Sequence, residues 1–179
     1  DAQGQITVFD FDTNTRLNTA LRVGARTFRF RPGTMQVAVA TDSRVDLFNY
    51  PAETPLQTFE TATRIFILAW SPDGSRLVVA TEDGDLYVWD MVRGTQRIFR
   101  GHSEPCIRLT FSPDGEWLAS SSRDGTTRLW DVAQGQTIVI GTEGLAHVFS
   151  RDGERIGYWK PSIGFGVWRI VRSDTYKLL

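Results

Sequence analysis

Apolar and polar residues alternate over short stretches of this chain, and turn sequences separate the stretches. Residues 106–112 alternate in this way and end at Pro113-Asp114-Gly115, where proline presets φ and glycine supplies the positive φ of a tight turn. Residues 117–122 and 126–132 follow, separated by the hairpin sequence Asp124-Gly125, and Gln136 to Ile140 come next. Alternation with a period of two is typical of half-buried strands, and no window of 12 residues has a sustained helical apolar stripe. We therefore predict four antiparallel strands here, in an all-β chain.

The turn sequence is repeated along the chain. Ser-Pro-Asp-Gly occurs at 71–74 and 112–115, Ser-Arg-Asp-Gly at 150–153, and a weaker copy, Arg-Pro-Gly-Thr, at 31–34. An aromatic residue precedes each copy, with spacings of 40, 41 and 38 residues. A second aromatic series has spacings of 39, 41, 41 and 38 residues and consists of Phe9, Phe48, Trp89, Trp130 and Trp168. Two interleaved series with one period indicate a repeated structural unit of about 40 residues.

One copy of the unit has a set of motifs that identifies a family. It contains Gly101-His102, the Ser-Pro-Asp-Gly turn, the segment Leu118-Ala119-Ser120-Ser121-Ser122, Asp124-Gly125 and Trp130-Asp131. This combination resembles a WD-repeat (WD40) blade of the β-propeller family. The preceding copy lacks Gly-His, and the outer copies match as degenerate versions. The resemblance implies a β-propeller, in which four-stranded antiparallel sheets stack side by side around an axis.

Counting strands against the repeat predicts about four and a half blades. A half blade occupies residues 1–25, and four blades follow at about 26–63, 64–104, 105–143 and 144–179, the last ending in an outer strand at Tyr176 to Leu179. Propellers of this family usually have seven blades, which at this period require about 280 residues. We therefore expect a partial propeller that belongs to a longer polypeptide or that pairs with another copy.

The family resemblance assigns a structural role to four polar or aromatic residues. In the family, such residues form a hydrogen-bonded tetrad, which here consists of His102, Ser120, Asp124 and Trp130, with Ser122 as the other serine candidate. A Ser-His-Asp set also occurs in hydrolases. Since the groups of the tetrad lie buried between strands in a WD blade, we interpret them as structural. The second and fourth blades lack the network, because Thr61 and Val79 replace His102 and Ser120, while Tyr158 and Ser162 replace Ser120 and Asp124.

Composition and charge exclude several other functions. With 20 Lys plus Arg against 21 Asp plus Glu, the chain has no basic excess of the kind that binds nucleic acid. The longest apolar runs, such as residues 65–70, are too short for a membrane span of about 20 residues. A single cysteine and the lack of a signal-peptide pattern predict a cytoplasmic location. No metal, nucleotide or nucleophile motif is present, so we predict no cofactor, no metal and no catalytic site.

The remaining interpretation is a binding platform. The resemblance implies peptide or protein binding on the loop face, where candidates precede the turn aspartates or enter the first strands: Arg64, Glu82, Ser103, Glu104, Pro105 and Arg123. Their mixed charges suit a protein or peptide partner. The blades are also similar to WD regions of large bacterial multidomain proteins, some of them kinase-linked, which suggests a signalling scaffold. The alternative is an enzymatic or small-ligand-binding propeller with polar groups at the axial channel.

Overall fold

The fold was analysed in a computed structural model of the chain, which describes residues 5–10, 15–22, 25–52, 54–142, 144–160, 162 and 164–170. For the strands at 5–10 and 15–22, only the backbone is described. The predicted outer strand at Tyr176 to Leu179 lies outside the described residues.

The described chain forms strands joined by short turns. They are β1 (Gln5–Asp10), β2 (Thr15–Arg22), β3 (Thr27–Phe30), β4 (Gln36–Ala40), β5 (Arg44–Asn49), β6 (Pro55–Glu60), β7 (Ile65–Trp70), β8 (Arg76–Thr81), β9 (Leu86–Asp90), β10 (Thr95–Phe99), β11 (Cys106–Phe111), β12 (Trp117–Ser122), β13 (Thr126–Asp131), β14 (Thr137–Thr142), β15 (Leu145–Phe149), β16 (Arg155–Lys160) and β17 (Gly164–Arg169).

These strands form antiparallel sheets in which each strand pairs with the next one in sequence. Strands β3–β6, β7–β10 and β11–β14 form three four-stranded sheets, here called blades one, two and three. Strands β15–β17 form blade four, and β1–β2 form a two-stranded half blade. The predicted all-β architecture of four-stranded antiparallel blades is thus confirmed.

Neighbouring blades pack through apolar sheet faces, with their first strands adjacent. Strand β3 contacts β7, β7 contacts β11, and β11 contacts β15. Between blades two and three, Val78, Leu86 and Val88 of one sheet pack with Leu118 and Trp130 of the next. A single four-stranded sheet cannot bury both of its faces, so each blade depends on its neighbours for a core.

Blade four has one packed face and one exposed face. Its packed face joins blade three in a cluster that includes Ala119, Leu129 and Ile156. Its other face exposes large apolar side chains, with Phe165 83%, Val167 64% and Val148 60% accessible. A contiguous exposed apolar face of this kind is typical of a contact surface.

The described elements are all strands, and the described residues contain no helix that could span a membrane.

Candidate functional site

The four predicted tetrad residues are joined by hydrogen bonds in blade three. The indole N–H of Trp130 donates to the hydroxyl oxygen of Ser120 at 2.7 Å. The same hydroxyl lies 2.8 Å from His102 Nε2, and His102 Nδ1 lies 2.7 Å from Asp124 Oδ2. Ser122, the other serine candidate, instead donates to the carbonyl oxygen of Glu104 at 2.7 Å. The network therefore links strands β12 and β13 to the segment that enters β11.

The surroundings of Asp124 and His102 fix the direction of these hydrogen bonds. Burial opposes ionisation of Asp124, but hydrogen bonds from Thr126, His102 and the Ser103 amide together lower its pKa to about 2. Burial lowers the pKa of His102 and outweighs the opposite effect of Asp124. A neutral His102 donates from Nδ1 to the ionised carboxylate and accepts at Nε2 from Ser120. Each polar group of the tetrad then has a hydrogen-bond partner.

This geometry supports a structural role for the tetrad. Ser120 is completely buried, and His102 is 6% exposed, so neither group is presented to a substrate. The Ser120 hydroxyl is also engaged by both His102 and Trp130. A hydrolytic nucleophile must be able to contact its substrate, and the buried hydroxyl of Ser120 cannot do so. The network instead fixes the entry segment of β11 to the turn at residues 123–125.

Blades two and four replace this network with different contacts. In blade two, the Thr81 hydroxyl donates to the Asp83 carboxylate at 2.6 Å, and the Ala62 amide donates to the Tyr87 hydroxyl at 3.0 Å. In blade four, the rings of Tyr158 and Trp168 stack with centroids 4.0 Å apart. The equivalent ends of the sheets are thus stabilised by local turn bonds or by aromatic packing.

Five of the six predicted partner-binding residues are wholly or partly exposed at the end of the sheets where the first strands begin. Arg64 is half-buried, and its carbonyl accepts the Glu82 amide at 2.7 Å, so these two residues lie side by side. The other exposed residues of this loop face are Ser103, Glu104 and Arg123.

Pro105 was predicted to be exposed, and this prediction is wrong because Pro105 is buried. Its carbonyl oxygen accepts the Arg123 amide at 3.0 Å, and the nearby Ser103 amide donates to Asp124 at 3.2 Å. These bonds hold the entry segment against the turn between β12 and β13. Pro105 is therefore part of the support of the loop face and does not contribute to its surface.

Two apolar residues of the loop face, Phe66 and Ile107, were not found by sequence analysis. The pairing of β7 with β8 shifts between Ile65 and Ile67, and the pairing of β11 with β12 shifts in the same place in blade three. Phe66 and Ile107 are the extra residues at these β-bulges. Bulges redirect side chains near the ends of strands and next to binding sites. Phe66 is half-buried and Ile107 is 40% exposed, so both contribute apolar surface.

Two arginines from different blades lie over the ring of Phe66. The guanidinium carbon of Arg64 lies 5.3 Å from the ring centroid, and that of Arg123 lies 5.5 Å from it. Both distances are within the range of a cation–π interaction. Arg64 also forms an ion pair with Glu82 at 3.4 Å. We call Arg64, Phe66 and Arg123 the arginine–phenylalanine cluster, because it joins blades two and three at the loop face.

Cavities occur elsewhere in the described part of the molecule. One of about 300 Å³ lies between blades two and three, lined by residues that include Arg76, Val88 and Ala133. Another of about 430 Å³ lies between the outer strands β6 and β10. These spaces open beside third and outer strands.

Comparison with known proteins identifies repeats in the middle of the chain. The family profile described as "WD domain, G-beta repeat" matches residues 53–90 and again residues 94–131. The second match includes Ser120, Asp124 and Trp130. The first match contains β6–β9, and the second contains β10–β13, so each begins with the outer strand of one blade and continues into the next. No curated protein matches the chain significantly.

Proposed function

Because the chain is a WD40 repeat domain, we propose that it is a non-enzymatic module that binds a peptide or protein on its loop face. WD40 domains are commonly protein-interaction scaffolds and are typically not catalytic. The observation that carries the proposal is the arginine–phenylalanine cluster, in which a bulged aromatic residue and two guanidinium groups from two blades are brought together. Aromatic residues and arginine are the types that contribute most energy at protein interfaces.

The rigidity of the loop face supports this proposal. Hydrogen bonds join the turn of blade three to its entry segment, and the tetrad fixes the same segment from inside. In blade two, the turn at Gly84 approaches the His102 carbonyl so closely that an added Cβ would lie 2.7 Å from its oxygen. A surface that is ordered before binding loses less conformational entropy when a partner arrives.

The experiment that tests the loop-face proposal is a pull-down with Arg64→Glu and Arg123→Glu combined. We expect the double variant to lose partners that the parent chain recovers. Arg93→Glu is the matched control, since Arg93 is an exposed arginine in the turn after β9, at the other end of the sheet. If the double variant and the parent recover the same partners in equal amounts, the loop face is not the binding surface.

The exposed apolar face of blade four is a second candidate contact surface. Phe165 and Val167 occupy the positions of Leu86 and Val88 in blade two, counted back from Trp168 and Trp89. In blade two, both positions are buried under blade three. We propose that a further WD-type blade covers the face of blade four in the same manner, which fits a longer polypeptide. A discrete dimer of this chain would instead assign the face to a second copy.

We further propose that the module acts in the cytoplasm as the scaffolding part of a signalling protein. This proposal rests on the single buried cysteine and on the similarity of the blades to WD regions of multidomain proteins. Localisation of a tagged chain in its native cells tests it directly, and recovery of the chain outside the cytoplasm would contradict it.

A further inference from the structure

We infer that the loop face recognises an acidic peptide segment, with a carboxylate bound by Arg64 and Arg123 and an adjacent apolar side chain packed on Phe66 and Ile107. This inference rests on the proposed function, because it names the chemistry of the partner of the same surface.

Positive charge remains uncompensated at the arginine–phenylalanine cluster. Arg64 has Glu82 as an ion-pair partner, but the separation is 3.4 Å and both side chains are partly exposed, at 39% and 54%. Such a surface pair contributes little to stability. Among the described carboxylates, none forms an ion pair with Arg123. Two guanidinium groups therefore lie over one ring, and among the described residues their only ion pair is the weak one between Arg64 and Glu82.

The aspartates in the turns of the loop face already accept hydrogen bonds within their own blades. Asp124 accepts hydrogen bonds from His102, Ser103 and Thr126, so its carboxylate is already used within blade three. Asp83 accepts from the Thr81 hydroxyl. Glu104 is exposed on the same rim. The aspartates of the turns thus stabilise the fold through their hydrogen bonds, while Arg64 and Arg123 lie over Phe66.

The geometry of the guanidinium groups suits a carboxylate ligand. A guanidinium group presents its donors in a planar fork that matches the two oxygens of a carboxylate. Stacking on Phe66 restricts the side chains of Arg64 and Arg123, so less conformational freedom is lost on binding. Both guanidinium carbons lie within 5.5 Å of one ring centroid, and a bound carboxylate offsets their positive charges. The cluster therefore favours an anion more than a neutral polar group.

Apolar surface lies beside the two arginines of the cluster. Phe66 and Ile107 occupy equivalent bulges in β7 and β11, two first strands that contact each other. Both side chains retain accessible surface. A partner with an apolar residue next to its acidic residue can bury this surface while its carboxylate binds the arginines. The ligand class is thus a peptide with neighbouring acidic and apolar residues.

The test begins with a phage-displayed library of random peptides selected on the purified chain. We expect the selected sequences to be enriched in Asp or Glu beside an apolar residue. A synthetic selected peptide is then measured by fluorescence polarisation against the parent chain, Arg64→Gln, Arg123→Gln, Phe66→Ala and the control Arg93→Gln. Loss of one charged hydrogen-bonding partner predicts at least about tenfold weaker binding for each loop-face arginine variant. The control should bind as the parent does, and thermal melts establish that each variant is folded.

The outcomes separate this inference from the proposed function. Selected peptides without acidic residues, or unchanged affinity in both arginine variants, would overturn the acidic class; a loss in Phe66→Ala would then still support loop-face binding. If Phe66→Ala also binds normally, the loop-face site itself fails. A library that yields no binding peptide overturns the peptide inference, and the pull-down then decides the proposed function alone.

Discussion

Trp130 donates its indole N–H to Ser120, 2.7 Å away, and thereby fixes the third strand of blade three to its second strand inside a buried network. Trp130 also stacks with Phe99, with ring centroids 5.5 Å apart, so the same side chain contributes both a hydrogen bond and the apolar contact with blade two. This double role determines what its removal costs.

Trp130→Ala should lower the free energy of unfolding by about 3 to 5 kcal/mol, because it leaves a cavity between two blades. Trp130→Phe retains most of the apolar volume and loses the bond to Ser120, so it should cost less, about 1 to 2 kcal/mol. Urea denaturation of both variants measures the difference. Equal midpoints for Trp130→Ala and the parent chain would show that the tetrad does not stabilise the fold.

Stability should fall as His102 becomes protonated. Its pKa is lower in the folded chain than the ordinary value of about 6.5, so the unfolded chain binds the proton more tightly. The contribution of neutral His102 is complete above about pH 6.5 and is lost as the pH falls from there through the folded pKa. Stability is lost because the protonated ring of His102 donates from both nitrogens, which leaves the Ser120 hydroxyl proton without its acceptor.

Urea denaturation as a function of pH measures this dependence. In His102→Gln, the dependence just below about pH 6.5 should flatten, while His147→Gln removes the other histidine of the chain and serves as the control. Asp124 acts in a lower range: its folded pKa of about 2 lies below the ordinary value, so its contribution holds above about pH 4 and declines as the pH falls towards 2. An identical pH profile in His102→Gln and the parent would exclude His102 as the titrating group.

Gly84 and Gly125 form a matched pair for testing the contact between blades two and three. Both have positive φ, +87° and +81°, in equivalent turns. An added Cβ at Gly125 meets no atom within 4 Å, whereas at Gly84 it would lie 2.7 Å from the His102 carbonyl oxygen. Gly125→Ala should therefore cost about 1 kcal/mol from backbone strain, and Gly84→Ala about 2 to 3 kcal/mol. Equal losses in the two variants would show that the contact between the blades is loose.

The exposed face of blade four should bind a hydrophobic dye. We expect the isolated chain to enhance anilinonaphthalene sulfonate fluorescence, and Phe165→Ser combined with Val167→Ser to reduce it without loss of fold, because both side chains are already accessible. Val92→Ser is the control, since Val92 is 78% exposed in a turn away from this face. If the dye signal is the same in the double variant, the face is covered in solution.

The strands and turns could be predicted because their signals are local and periodic: the turn glycines recur in the copies, and the tryptophan spacing is visible when the copies are compared. The tetrad could be predicted only through the family resemblance, which left Ser122 as the other serine candidate. Phe66 and Ile107 could not be predicted as loop-face residues, because a bulge depends on how two strands pair. Pro105 was misassigned for a related reason: its carbonyl oxygen accepts a hydrogen bond from the amide of Arg123, a residue that is distant in the sequence.

The offset between repeat and blade has a consequence for how such a chain can evolve. Each matched repeat supplies the outer strand of one blade and the first three strands of the next. A tandem duplication of one repeat would therefore leave no blade with a missing strand, because the inserted outer strand completes the blade before it. Recombination at this boundary changes the number of blades and preserves every hydrogen-bonded strand pair within them. The matched repeat and the folded sheet are offset by one strand, so every added copy would form strand pairs with its neighbour.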